Sequence, residues 1–194
     1  MSRSRRRPRR RVTLGGALVA LLVLVVVLVG PRLLDGRGLD VPGLPGGPVA
    51  APTGVPADAE RAVVERVVDG DTVVVEVGGA RERLRLVGVD TPETVRPGAP
   101  VDCYGPEASA WTTDALPAGA MVWLEADDSQ GDRDRYDRLL RYVWTDSGTL
   151  VNRELIVQGL GREDTYDAAY RYQDDFRAVE RTAEAQRTGL WGAC

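Results

Sequence analysis

Histidine and lysine are both missing from this chain of 194 residues, and all 25 of its basic side chains are arginine. Without histidine there is no Ser-His-Asp triad, no Cys-His pair and no histidine-ligated zinc. Without lysine, a P-loop NTPase, a Schiff-base enzyme and a protein kinase each lose a residue they require. Whatever chemistry occurs must run on carboxylates, arginines, tyrosines, hydroxyls, backbone groups or a metal ion. The composition, 43% apolar and 28% charged, is that of a folded chain rather than a disordered or collagen-like one. The length suits one globular domain with an appendage.

The net charge of −4 conceals two opposed parts. Residues 1–37 hold nine arginines and one acid, Asp35, for a net +8, whereas the rest holds 16 arginines against 28 acids, for −12. An acidic folded portion argues against gripping nucleic acid by bulk charge, which needs phosphate-neutralising cations. Most of these acids read as a solvated, solubilising surface. The balance still leaves room for an enzyme that sets a few arginines beside a bound cation.

Arg3 to Arg11 form a dense basic cluster, and Val12–Gly30 is a run of 19 residues whose only polar side chain is Thr13. As a helix this run would be about 28 Å long, close to a hydrocarbon thickness of about 30 Å. Residues 1–11 are therefore read as a cytoplasmic basic segment and 12–30 as a membrane anchor, with residues 31–194 outside the cell. A cleaved signal sequence, which would release a secreted domain, is the alternative. Residues 31–59 are rich in proline, glycine and alanine and read as an extended linker. The domain occupies 60–194, enough for one core, and shows no internal repeat.

Within the domain, Ala62–Val68 and Thr72–Val77 are dense in valine and read as strands joined through Asp69-Gly70-Asp71. Gly78-Gly79 is a hairpin signal, and Arg81–Val89 reads as a third strand. Pro92 through Cys103 is a loop, and Gly105-Pro106-Glu107 opens a helix running to about Leu116. Met121–Ala126 and Leu139–Thr145 read as strands, Leu150–Gln158 and Tyr170–Arg187 as helices. Five short strands with three helices predict a mainly β, α+β architecture: a small, partly open barrel of the OB type.

The richest chemistry lies in Asp69-Gly70-Asp71-Thr72 and in Arg85 through Thr94. Asp71 falls at a tight turn, and Asp90 ends an apolar strand where a bare carboxylate is costly unless paired. Pro92 pushes Thr91 toward an extended conformation that can free its carbonyl. Two aspartates, a carbonyl and nearby Glu93 form a set of hard oxygen donors, suited to calcium or less tightly to magnesium. Taken singly, Asp71 and Asp90 could be turn caps, Arg85 an outward strand residue paired with Glu82 or Glu76, and Arg138 a surface arginine. An EF-hand at Asp127–Asp137 is excluded, because a register from Asp127 puts Asp132 where glycine is needed and Arg138 where a bidentate glutamate belongs.

The segment Asp69–Thr94 resembles the thermonuclease (staphylococcal-nuclease-like) family. Cys103–Trp111, Asp134-Arg135-Tyr136-Asp137-Arg138, Leu150–Leu155 with Gln158-Gly159-Leu160, and Gly189-Leu190-Trp191 resemble it in the same order, over about residues 61–191. The resemblance implies an OB-fold barrel with three helices and calcium-dependent cleavage of DNA and RNA. It also implies roles: Asp71, Asp90 and the Thr91 carbonyl as calcium ligands, Glu93 as general base, and Arg85 and Arg138 as catalytic arginines. Arg135 and Tyr136 match positions that touch a terminal phosphate, and Tyr166 is the candidate for contact with a base. A non-catalytic OB module that binds nucleic acid or protein at the cell surface is one alternative, and a calcium-stabilised interaction domain another.

Cys103 and Cys194 are the only cysteines. An extracellular domain favours their pairing over two unrelated thiols. Such a bridge would be worth about 4–5 kcal/mol on a chain-entropy account.

Overall fold

The structure is a computed structural model that describes residues 54–94, 98 and 100–194. The basic segment 1–11, the apolar run 12–30 read as a membrane anchor and the linker as far as residue 53 lie outside the described residues. No helix among the described residues is long and apolar enough to cross a membrane.

Valine-rich segments build the first half of a barrel. Strand β1 (Glu60–Asp69), β2 (Thr72–Val77) and β3 (Ala80–Leu86) form an antiparallel meander. Its first turn is Gly70-Asp71 and its second the Gly78-Gly79 hairpin. β-Branched side chains suit a pleated surface, and Val73, Val74 and Val75 are buried almost completely. β5 (Met121–Glu125) and β6 (Leu139–Thr145) complete the barrel in the order β1-β2-β3-β6-β5, with β1 pairing back onto β5. The β3–β6 pair is parallel; the other four pairs are antiparallel. Register shifts between Val64 and Arg66 and between Val67 and Asp69 bend β1, which lets it serve both neighbours. The expected OB-type barrel is present, and it is closed.

Helix α1 (Gly105–Ala115) begins with proline in its first turn and lays Ala108 and Thr112 against the barrel. Helix α2 (Val151–Val157) seals one end with Val151, Leu155 and Ile156. Its Asn152 is fully buried and joins three chain segments. Asn152 Oδ1 accepts the Val143 N–H at 2.8 Å, while Nδ2 donates to the carbonyls of Val87 at 2.9 Å and Arg141 at 3.2 Å. Helix α3 (Gln173–Gln186) packs Phe176, Val179 and Ala183 inward, and a short α4 (Leu190–Ala193) buries Leu190.

The segment Arg81–Val89, read as one strand, is broken. β3 stops at Leu86, the chain turns through Val87-Gly88, and β4 (Val89–Asp90) leaves the barrel to pair with β7 (Arg162–Glu163). Gly88 has φ +76°, and a Cβ there would stand 2.6 Å from the Tyr170 ring. No other residue fits both constraints. Helix α3 also starts later than the apolar pattern suggested, because Tyr170 and Tyr172 are held elsewhere. The Tyr170 hydroxyl donates to Glu163 Oε1 at 3.0 Å and that of Tyr172 to Glu125 at 3.0 Å.

Candidate active site

Asp71 sits where the β1–β2 turn re-enters the barrel, and its nearly buried carboxylate is fully engaged. Oδ2 accepts the Thr91 N–H at 2.9 Å and the Thr91 hydroxyl at 3.1 Å, while Oδ1 accepts the Thr72 hydroxyl at 3.1 Å. The turn itself is braced from α1, where Thr112 Oγ1 donates to the Gly70 carbonyl at 2.8 Å. Arg85 projects from β3 between two carboxylates: Nη1 lies 2.8 Å from Asp71 Oδ2 and Nη2 lies 2.8 Å from Asp90 Oδ1. Nη1 also donates to the Val89 carbonyl at 2.6 Å. Arg85 is therefore not an outward strand residue. Glu82, its rival partner on β3, is taken instead by Arg133 at 2.8 and 2.9 Å.

Asp90 is placed by the excursion at Gly88. Pairing of β4 with β7 fixes its backbone opposite Arg162, and β7 is in turn tied to α3, since the Glu163 N–H donates to Glu180 Oε1 at 2.9 Å. The Asp90 side chain stays 65% exposed, yet it stands in a concave, acid-lined recess. Thinned hydration there raises its pKa; Arg85 pulls the other way, and the charges of Asp71 and Asp164 add to the rise. Asp69, two residues before Asp71, is pushed up to about 6 by burial and by the Asp71 carboxylate, with Glu93 adding to it.

Arg138 is oriented by Asp134, a residue that motif reading did not single out. Asp134 Oδ2 accepts Arg138 Nε–H at 2.7 Å, and Oδ1 accepts the backbone N–H groups of Tyr136 at 2.9 Å and Arg138 at 3.0 Å. Burial alone would raise the Asp134 pKa, but these bonds outweigh it and hold the carboxyl below the usual range. From that anchor the Arg138 guanidinium reaches Thr72 Oγ1 at 3.4 Å and lies 5.5 Å from the centre of the Tyr136 ring. Arg135 stacks on the same ring at 4.8 Å. The i, i+4 spacing of Asp134 and Arg138 was the available sequence signal for this pair.

These groups meet in one place. Asp69, Asp71, Asp90, Thr91, Glu93, Arg85, Arg135, Tyr136 and Arg138 all line a single cavity of about 440 Å³, with Thr72 and Asp102. An adjoining recess of about 390 Å³ shares Arg85, Asp90, Arg135, Tyr136 and Arg138. Tyr166, 73% exposed, lines this second recess and not the first. Cys103 and Cys194 are joined in a disulfide, with Cα atoms 6.1 Å apart.

Among the described residues, no three His, Cys, Asp or Glu side chains cluster as a metal site. Asp71 and Asp90 bring carboxylates to the Arg85 guanidinium at 2.8 Å each, and Asp164 stands behind them at 3.7 Å. The residues nevertheless suit a hard dication. Two carboxylates already converge on one cationic group at 2.8 Å each. The cavity lining carries five carboxylates against three guanidiniums, a deficit of two positive charges. All of its anionic donors are oxygens, the preference of calcium and magnesium.

A closed five-stranded barrel bearing carboxylates and arginines in one cleft is the frame on which the comparisons fall. Residues 83–193 match the family described as staphylococcal nuclease homologue. The chain is 39% identical over 135 residues to a thermonuclease of Staphylococcus hyicus, covering 70% of this chain and 78% of that one. It is 38% identical over 132 residues to a thermonuclease of Staphylococcus intermedius, covering 68% and 76%. It is also 38% identical over 130 residues to endonuclease YncB of Bacillus subtilis (strain 168), covering 66% and 60%. The chain belongs to the staphylococcal nuclease homologue family. At that level the expectation of a nuclease, rather than of a binding module, stands.

Proposed function

We propose that this chain is a calcium-dependent phosphodiesterase that cleaves DNA and RNA with little sequence preference. The observation that carries this reading is the single cavity lined by Asp71, Asp90, Glu93, Arg85 and Arg138. Attack of water on a phosphodiester raises the charge on the phosphoryl oxygens from about −1 toward −2, and preorganised cations stabilise that increase most effectively. The Asp71 and Asp90 carboxylates and the Thr91 carbonyl would hold calcium, which when bound would supply part of this positive charge. Arg85 and Arg138 supply the rest as planar forks that match phosphate oxygens. Arg138 acts as a charge stabiliser, since a guanidinium does not give up its proton. Glu93 orients the attacking water and accepts its proton, a contribution of about 10²–10⁴-fold.

Arg135 and Tyr136 are assigned to a terminal phosphate and Tyr166 to a base. Groups directed at phosphate carry no base code, which supports low sequence preference. The same reading puts the domain outside the cell, tethered through residues 12–30 or secreted if that segment is cleaved. The disulfide supports an oxidising compartment.

The test is hydrolysis of single-stranded DNA and of RNA with calcium and then with chelator. Turnover is expected with calcium alone, and Glu93→Gln and Arg138→Ala are each expected to lower kcat about 10²–10³-fold in a folded protein. Undiminished cleavage in chelator would remove the calcium role, and full activity in either variant would remove that residue's role.

A further inference from the structure

The disulfide ends on the segment that carries Glu93. Asp102 and Glu93 clasp each other across the base of their loop: the Glu93 N–H donates to Asp102 Oδ2 at 3.2 Å, and the Asp102 N–H donates to the Glu93 carbonyl at 2.9 Å. Cys103 comes directly after Asp102. Gly105, at the start of α1, closes the same contact, since a Cβ there would stand 2.8 Å from the Thr94 methyl and 3.2 Å from the Glu93 carbonyl. The far end of the bridge is firmly seated. The Cys194 N–H donates to the Leu190 carbonyl at 3.0 Å, and the N–H of buried Leu190 donates to the Gly159 carbonyl at 2.8 Å. Glu93 is thus linked through Asp102 and Cys103 to the helical layer at α2 and α4.

Apart from this link, the Glu93–Asp102 clasp consists of two hydrogen bonds, each of modest net strength, and the bond that Glu93 Oε1 accepts from the Thr94 N–H at 3.0 Å is internal to the same loop. Both cysteines are exposed, so the bridge is open to a dithiol. We propose that the Cys103–Cys194 disulfide, acting through Asp102, is the clamp that positions Glu93, so that turnover requires the oxidised state. The proposal rests on the role given to Glu93 above. Cys103, Cys194 and Asp102 are positioning residues; none of them is assigned to the reacting atoms. Switching off is a thiol–disulfide exchange: a dithiol gives two electrons and two protons to the Cys103 and Cys194 sulfurs, which become thiols, and is itself oxidised to a disulfide. A chain still in a reducing compartment would then carry a complete cavity with the Glu93 segment unpinned from the helical layer.

The test uses the full chain at 25 °C with calcium and single-stranded DNA. Oxidised wild type and Glu93→Gln come first. If wild type is inactive, or Glu93→Gln keeps full kcat, the reading of the site fails and takes this proposal with it. With those controls as expected, reduction by dithiothreitol should lower kcat at least tenfold with KM within twofold and the near-UV circular dichroism retained, and reoxidation should restore it. Asp102→Ala, with the disulfide intact, should reproduce the kcat loss, and Asp102→Asn, which keeps an acceptor oxygen, should recover most of it. A bridge that only stabilises would lower Tm and leave kcat unchanged in reduced, folded protein; that result overturns the proposal. Should reduction unfold the chain, the Asp102 pair decides, and an unchanged kcat in Asp102→Ala overturns it equally.

Discussion

Arg85 serves the carboxylates of Asp71 and Asp90 at 2.8 Å each, so a calcium ion held by those two residues, as proposed, would compete with this guanidinium for them. Removing the arginine leaves two like charges facing each other across a concave site, an arrangement that favours a dication. In Arg85→Ala the calcium affinity, read by isothermal titration, is expected to rise while turnover falls about 10²–10³-fold. Weaker calcium binding in the variant would mean that the two cations do not share these ligands. Arg138 is different, because Asp134 rather than a proposed metal ligand holds it. Lysine at 138 would keep the charge but lose the fork that meets Asp134 and, in the proposed role, a phosphate as well, so Arg138→Lys is not a conservative change.

Strands, helices and their breaks show which parts of this molecule are legible from residue order. β2, β5 and β6 follow from runs of β-branched and aromatic residues, and α1 follows from its glycine-proline start. Asp71 and Asp90 stood out in the sequence as hard oxygen donors, whereas Arg85 and Arg138, each with a plain structural reading of its own, were singled out through the family resemblance; the fold brings all four to one cavity. The break after β3 was not legible, because it depends on Tyr170 packing against Gly88 from 82 residues away. Asp102 was missed for a similar reason, since its bonds with Glu93 form only when the loop closes, whereas Asp69 and Asp134 lay inside recognised motifs without a role and act on neighbours two to four residues away. Asn152 lay inside a recognised motif without a role, and the fold supplies one. It satisfies one buried N–H and two carbonyls on β6 and the β3–β4 turn. Asn152→Ala is expected to cost about 3 kcal/mol in urea unfolding, since buried backbone groups lose their partners. A loss below about 0.5 kcal/mol would show that the turn holds without this side chain.

Across the domain as a body, the buried carboxylate of Asp127, just after β5, ties that strand's end to β6 and to the segment that leads into α3. Burial of Asp127 favours protonation, yet hydrogen bonds from the Arg171 N–H, Ser129 and the Tyr142 hydroxyl outweigh it and depress the pKa below 3.8. A depressed carboxyl contributes stability that is complete above pH 3.8 and disappears as pH falls through its folded value. Urea midpoints measured from pH 5 to pH 2.5 should therefore fall, and Asp127→Asn should flatten that fall; equal slopes in the two proteins would exclude the linkage. If a dication and two guanidiniums act together on one phosphate, calcium and a nucleotide bearing a terminal phosphate must be reciprocally coupled. Titration of calcium with and without that nucleotide, and of the nucleotide with and without calcium, reads this coupling. Each ligand is expected to tighten the other by the same factor, about 5–150-fold, and Asp71→Asn is expected to abolish the effect. Affinities for the two ligands that are independent of each other would contradict the shared site.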